Sequence, residues 1–319
     1  MKLFKSLLWT LFRLPSHLRP ATIQKLGRWV GRSFFYLSPR HRRIALSNLS
    51  RAFGSEISVD DRWRIGLSSF ENMGLTFMET LHFPGLGAEG LKNRIEIEGL
   101  EHLREALAKN KGVLLLTAHF GNWEFLSLAL GRMGFSGGAI IRPLDFKPFD
   151  EYISFIRSST GVRLIPKNRS MRKVLTALKD GEMMGILLDQ NTILREGVFV
   201  DFFGHRACTD KGLALLALKS GAPVIPLFCL RLKNGRYRIS IQSEVKLQRN
   251  GDKTKEVENN TAAFTGVIED MVRAYPEQWL WIHQRWKQKP YDPWPRVQKP
   301  NLKTRIFKHQ WRQTALGRS

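Results

Sequence analysis

A chain of 319 residues with 43% apolar side chains is long enough for one large domain or two small ones, and either can bury a sizeable core. Two cysteines, Cys208 and Cys229, exclude a disulfide framework and lack metal-ligand spacing, which suits a reduced, cytoplasmic setting. The net charge of +23 is uneven: residues 1–55 hold eleven Lys or Arg and no acid, residues 285–319 hold ten against Asp292, and the stretch between carries only +3. A nearly balanced body with two basic ends fits a nucleic-acid enzyme or a protein held against anionic lipid.

The N-terminal segment favours lipid. Leu3-Phe4, Leu7-Leu8-Trp9, Leu11-Phe12 and Leu14 alternate with Lys2, Lys5 and Arg13 until Pro15 breaks the pattern. This run is far short of the roughly 20 residues a spanning helix needs. It predicts a helix lying in the interface, with aromatic rings at the acyl boundary and cations at the headgroups. Leu26–Leu37, with Trp29, Phe34, Phe35, Arg28 and Arg32, continues that surface. An ordinary amphipathic helix packed on the body satisfies the same pattern. No small-residue cleavage site follows, which disfavours a signal peptide.

Residues 40–110 read as mostly helical, with spaced apolar residues over 42–53 and 59–83 before Pro84-Gly85. From Lys111 short apolar runs alternate with helices. The runs are 112–118, 139–141, 162–165, 183–188 and 223–228; the helices are near 123–133, 149–158, 171–178 and 213–219. Asn234-Gly235 between two apolar runs predicts a hairpin, and 254–274 a closing helix. The expected fold class is α/β: a mixed, mostly parallel central sheet flanked by helices, with a helical N-terminal region.

The chemistry is expected at His119-Phe-Gly-Asn-Trp-Glu124, directly after the first buried run. Residues five apart in a helix are rotated by roughly 140°, so His119 and Glu124 meet only if the chain turns between them. Gly121 permits a turn, and Asn122 is a good N-cap for a helix starting at Trp123. Glu124 would then orient His119 and stabilise its protonated form. From spacing alone, a buried structural His and a dipole-favoured helix-start Glu is the simpler reading. Arg142, Asp189-Gln190-Asn191 and the loop around Gly204 also lie just past predicted runs, where open α/β sheets gather ligands. Singly, they read as a surface charge, a turn residue and a turn glycine.

His-Phe-Gly-Asn-Trp-Glu at 119–124 resembles the His-x4-Glu motif of the lipid A secondary acyltransferases (lauroyl/myristoyl type) of the lysophospholipid acyltransferase superfamily. Further blocks occur in that family's order. They are Arg43–Leu49, Ile141-Arg142-Pro143, Leu188-Asp189-Gln190, Gly197–Gly204, Gly221–Pro226 and Tyr275–Lys287, and the resemblance covers roughly residues 20 to 290. Glycerolipid relatives usually carry Asp in place of Glu124 and a Phe-Pro-Glu-Gly-Thr block; this chain has neither. It also departs from many lipid A relatives in lacking a clear N-terminal spanning helix.

The resemblance implies transfer of an acyl chain from an acyl carrier protein thioester to a hydroxyl of a lipid A precursor. His119 would be the general base oriented by Glu124, with Arg142, Asp189, Gln190 and Gly204 binding substrate. Arg142 would meet oxyanion charge or an acceptor phosphate. It implies no metal and no cofactor, a phosphorylated glycolipid acceptor and an anionic membrane surface as partners, no nucleic acid, and the cytoplasmic face of the inner membrane. The expected divisions are a membrane-associating segment (1–40), an acyltransferase domain (41–289) and a basic tail (290–319). Three rivals stand beside this reading. One is an acyltransferase with another glycolipid, aminolipid or lysophospholipid acceptor. The second is a non-catalytic basic binder of membrane or nucleic acid. The third, zinc hydrolysis with His119, Glu124, His205 or His283, is disfavoured because the spacing does not match a His-Glu-x-x-His helix.

Overall fold

Every side chain of β2 (Val113–Thr117) is buried. A continuous apolar strand of this kind is stable only where both faces of its sheet are covered. In the computed structural model, which describes residues 2–135, 137–167 and 170–290, β2 lies at the centre of a seven-stranded sheet. It pairs in parallel with β5 (Met183–Leu187) on one side and β8 (Val224–Arg231) on the other. β3 (Gly137–Ile141) and β4 (Arg163–Pro166) extend the sheet beyond β5. Beyond β8 lie β9 (Tyr237–Ile241), antiparallel to it, and β1 (Ile95–Glu98), parallel to β9. The order is β1-β9-β8-β2-β5-β3-β4. The sheet is thus mixed and mostly parallel, as the alternating runs predict. The Asn234-Gly235 hairpin joins β8 to β9, with Gly235 at φ +76°. β1 falls in a stretch read as helical. A four-residue Ile-Glu-Ile-Glu strand at the sheet edge is too short to interrupt a helical pattern visibly.

Alternate side chains of β2 feed two apolar clusters. Leu114 and Leu116 pack with α9 (Ser170–Lys179), α10 (Gly212–Ser220) and α11 (Lys253–Ala274). Val113 and Leu115 pack with α6 (Leu100–Ala108), α7 (Trp123–Arg132) and α8 (Lys147–Ser158). A separate antiparallel hairpin, β6 (Gly197–Phe202) and β7 (His205–Asp210), packs its Phe202 and Phe203 into the first cluster.

The N-terminal region is helical: α1 (Lys2–Arg13), α2 (Pro20–Leu37), α3 (Pro39–Phe53) and α4 (Val59–His82), with short α5 (Ala88–Lys92) following. α2 and α4 cross at glycines. A Cβ on Gly31 would meet the backbone of Phe70, and one on Gly74 the carbonyl oxygen of Gly27. Arg28 and Arg32 pair with Glu71 across the same contact. α1 turns Trp9 and Phe12 onto the α8 rings Tyr152, Phe155 and Phe149 and leaves Leu7 and Leu11 exposed, as is Leu14 just after it. Among the described residues no helix is long and apolar enough to cross a membrane. The described residues up to Gln288 form one compact unit. The expected tail lies outside the described residues from 291 onward.

Candidate active site

The register of β2 against β5 pairs residues 70 apart, Val113 with Met183 through Thr117 with Leu187. Leu188 extends this pairing by donating its N–H to the carbonyl of Thr117. Two residues past each strand, the same offset sets His119 beside Asp189. Asp189 accepts from His119 twice, through the backbone N–H at 3.0 Å and through Nδ1 at 2.9 Å. The indole Nε1 of Trp279 donates to the same carboxylate at 2.8 Å. Asp189 is 1% exposed. Burial alone would raise its pKa. Attraction to His119, the hydrogen bond from that ring and those from its neighbours outweigh burial and hold the carboxyl well below the usual range. An ionised carboxylate only accepts, so Nδ1 carries the imidazole proton and Nε2 the free lone pair.

The turn after His119 is held by main-chain bonds to distant segments. Gly121 donates to the carbonyl of Gln278, Asn122 to that of Cys229, and Leu280 to that of His119. Gly121 has φ +57°, and a Cβ there would collide with the Cys229 carbonyl oxygen, so the turn requires glycine. Asn122 caps α7 as its sequence predicts, accepting from the Phe125 N–H at 2.9 Å.

Glu124 does not reach His119. Its carboxylate is gripped on both oxygens by Arg157 of α8, at 2.9 and 2.5 Å. The carboxylate that contacts His119 is instead Asp189, because the strand register delivers that residue directly while the first turn of α7 aims Glu124 at α8. Gln190, expected to bind substrate, bridges two rings. Its Nε2 lies 3.2 Å from Nε2 of His119 and 2.7 Å from Nε2 of His283. Arg142 is exposed at the C-terminal end of β3. Gly204 forms the β6–β7 turn with Phe203, both at positive φ (+69° and +54°), the signature of a two-residue hairpin loop. Its plain turn reading is the one the geometry supplies.

Three further residues belong to the cluster: Trp279, His283 and Arg285. Burial, with repulsion from His119, pushes His283 down to about 4, against the pull of Asp189. Its pKa in the fold thus lies below the unfolded value of roughly 6.5. The stabilisation is full above about 6.5 and is lost as pH falls through about 4. Unfolding free energy should drop over that window by on the order of 2 kcal/mol, and His283→Gln should flatten the slope; denaturant melts across pH check this. Among the described residues no group of three or more His, Cys, Asp or Glu is placed to hold a metal ion. His205 instead packs its ring on Trp286 and bonds the carbonyl of Arg51 at 3.0 Å.

The site is thus a buried carboxylate and the imidazole it orients, set at the C-terminal ends of adjacent parallel strands, with a second neutral imidazole joined to them through Gln190. Comparison with known proteins places the chain in a family. Residues 3–288 match the model of a family described as bacterial lipid A biosynthesis acyltransferase. The chain is 28% identical to the lipid A biosynthesis lauroyltransferase of Escherichia coli (strain K12), over 89% of this chain and 90% of the relative. It is 27% identical to the lipid A biosynthesis myristoyltransferase of the same organism, over 84% and 80%. It is also 30% identical to a phosphatidylinositol mannoside acyltransferase of Mycobacterium tuberculosis (strain ATCC 25618 / H37Rv), over 57% of this chain and 59% of that one. With a match spanning 3–288, the chain belongs to the bacterial lipid A biosynthesis acyltransferase family.

Proposed function

We propose that the protein transfers a fatty acyl chain from an acyl carrier protein thioester to a hydroxyl of a lipid A precursor, with His119 as general base and Asp189 as its orienting carboxylate. The observation that carries this is the His119–Asp189 pair, in which Asp189 holds Nδ1 and leaves the lone pair on Nε2, where Gln190 Nε2 approaches at 3.2 Å. Nε2 takes the proton of the acceptor hydroxyl as its oxygen attacks the thioester carbonyl. The C–S bond then breaks, and the proton passes to the leaving sulfur, giving an ester and a thiol. Asp189 stabilises the imidazolium between these steps. Glu124 acts with Arg157, bracing the start of α7 beside Trp123, whose ring lies 5.3 Å from that of His119. Exposed Arg142 offers a bidentate cation to an acceptor phosphate.

Attachment to the cytoplasmic face of the inner membrane is supported by the exposed Leu7, Leu11, Leu14, Leu18 and Trp29 in a segment without acidic residues. An acidic carrier protein and a phosphorylated lipid both suit that charge. The likeness to a mannoside acyltransferase supports a second reading, with another glycolipid as acceptor. Mass spectrometry of lipid A from cells with and without the protein separates the two. One additional acyl chain in its presence is the expected result, with the protein recovered in the inner-membrane fraction. Identical lipid A spectra would reject lipid A as the acceptor.

A further inference from the structure

Arg285 is 0% exposed, and its hydrogen bonds go only to neutral acceptors. Its guanidinium donates to Thr209 Oγ1 at 2.6 Å and to the carbonyl oxygens of Cys208 at 3.2 Å and Gln190 at 3.4 Å. Its Cζ lies 4.9 Å from the Phe202 ring centre, and Nε has no hydrogen-bond partner. No carboxylate of the described residues forms an ion pair with it. Neutral acceptors could be served by a neutral donor, and a buried cation without a counter-charge is costly. The charge therefore calls for its own explanation.

The explanation lies one residue from a carbonyl that Arg285 holds. Gln190 follows Asp189, the buried carboxylate, and Asn191 pairs with Thr209 of β7 in an isolated bridge. When His119 is ready to act as a base it is neutral, and so is His283 above about 4. Within this cluster the buried charges then reduce to Asp189 and Arg285, one negative and one positive. We propose that Arg285 is a positioning residue that ties the 189–191 turn to β7 and supplies the permanent positive charge balancing the Asp189 carboxylate beside a neutral His119. This rests on the reading of His119 as the base.

The sign follows from Coulomb's law. Asp189 draws a proton onto the imidazole, and Arg285 opposes it. Burial lowers Arg285 to about 10, against the pull of Asp189 and Cys208, so it stays a cation through neutral pH. The titratable groups around the pair are His119, His283, Asp189 and Cys208. Further along, Asp210 and Lys211 act on Cys208, and Asp210 pairs with Lys167. Removing the cation should leave His119 protonated to higher pH.

The test uses the full chain in detergent. Arg285→Met and Arg285→Gln remove the charge, whereas Arg285→Lys keeps it and loses the fork. The His119 ring is titrated by NMR with labelled histidine, assigned by its loss in His119→Asn, and kcat/KM for acyl transfer is followed against pH. The neutral variants should move the ring titration and the acid limb of kcat/KM upward by about one pH unit, with activity recovering at higher pH. The Lys variant should titrate like the parent. A folded Met or Gln variant that titrates like the parent overturns the proposal, as does a loss equal at every pH. If neither neutral variant folds, a folded Lys variant with the parental titration upholds the charge requirement, and one that is shifted or unfolded overturns it. The NMR titration needs no turnover, so a shift without any acyl transfer would sink the catalytic reading while leaving the charge balance intact.

Discussion

His119→Ala is expected to lower the rate of acyl transfer by about 10²–10⁴-fold, and Asp189→Asn by up to about 10⁴-fold, in purified protein that remains folded. The two losses have different origins. In the proposed mechanism, alanine removes the nitrogen that receives the hydroxyl proton. Asparagine keeps the shape of Asp189, but its amide can donate where the carboxylate only accepts. Trp279 Nε1 and the His119 N–H both already donate to Oδ2, so the amide oxygen is best spent there and the NH₂ faces Nδ1. That reverses the tautomer and puts the proton on Nε2, the atom required as base. Because the two residues act as a unit, the double variant should be little slower than the worse single one. Steady-state kinetics with a defined thioester and acceptor measure all three; a fully active His119→Ala protein would remove the mechanism.

The largest stability effect is expected at Glu79. Its carboxylate pairs with Arg231 at the end of β8 and accepts from Asn122 Nδ2 at 2.8 Å. Arg231 also reaches Asn72 Oδ1 at 3.0 Å, the Tyr237 hydroxyl at 3.2 Å and Thr76 Oγ1 at 3.3 Å. Burial works against its charge, but Glu79 and Tyr237 more than offset this and raise the arginine above its usual range. Glu79→Ala leaves that cation buried without its partner and should cost about 3–5 kcal/mol. Replacing both residues with methionine should cost much less, because the desolvation penalty leaves with the charges. Chemical denaturation of Glu79→Met, Arg231→Met and the double methionine variant gives the coupling directly. Costs that simply add would show that the pair is not coupled. The alanine variant should also loosen the site, since Asn122 is both the cap of α7 and a partner of Glu79.

The readable parts of the chain were those set by local rules. Val113–Thr117 announces a doubly covered strand by its unbroken apolar run, Gly121 a turn, Asn122 a cap and Asn234-Gly235 a hairpin. All four are found in the fold. The partner of His119 was not readable this way, because it depends on which strands pair and in what register. The clue was present in two apolar runs that each end just before a titratable residue, His119 after 112–118 and Asp189 after 183–188. Only the β2–β5 pairing turns that clue into a contact. Glu124 looked closer because it is closer in sequence, yet its side chain answers to Arg157, a residue 33 positions away. The β6–β7 hairpin turns through Phe203-Gly204, where a phenylalanine at positive φ carries no turn signal. His283 and Arg285 lie in a segment whose importance rests on what it crosses, which no periodicity reports.

The segment 278–285 gives the site a birth time. Gln278, Trp279, Leu280 and Arg285 bond the turn after β2, the dyad carboxylate, the backbone of His119 and that of Gln190. About 160 residues separate His119 from Trp279, so at roughly 5–20 residues per second the ribosome needs on the order of 10–30 s to make what completes the pair. Over that interval the nascent chain holds an imidazole without its finished mounting and a central strand without all its neighbours, since β8 also arrives late. A message cut short after α11 would yield every strand of the sheet and α1 to α11, but not the segment that mounts His119 and Asp189. The bonds that mount His119 and Asp189 are therefore among the last of the described fold to become available.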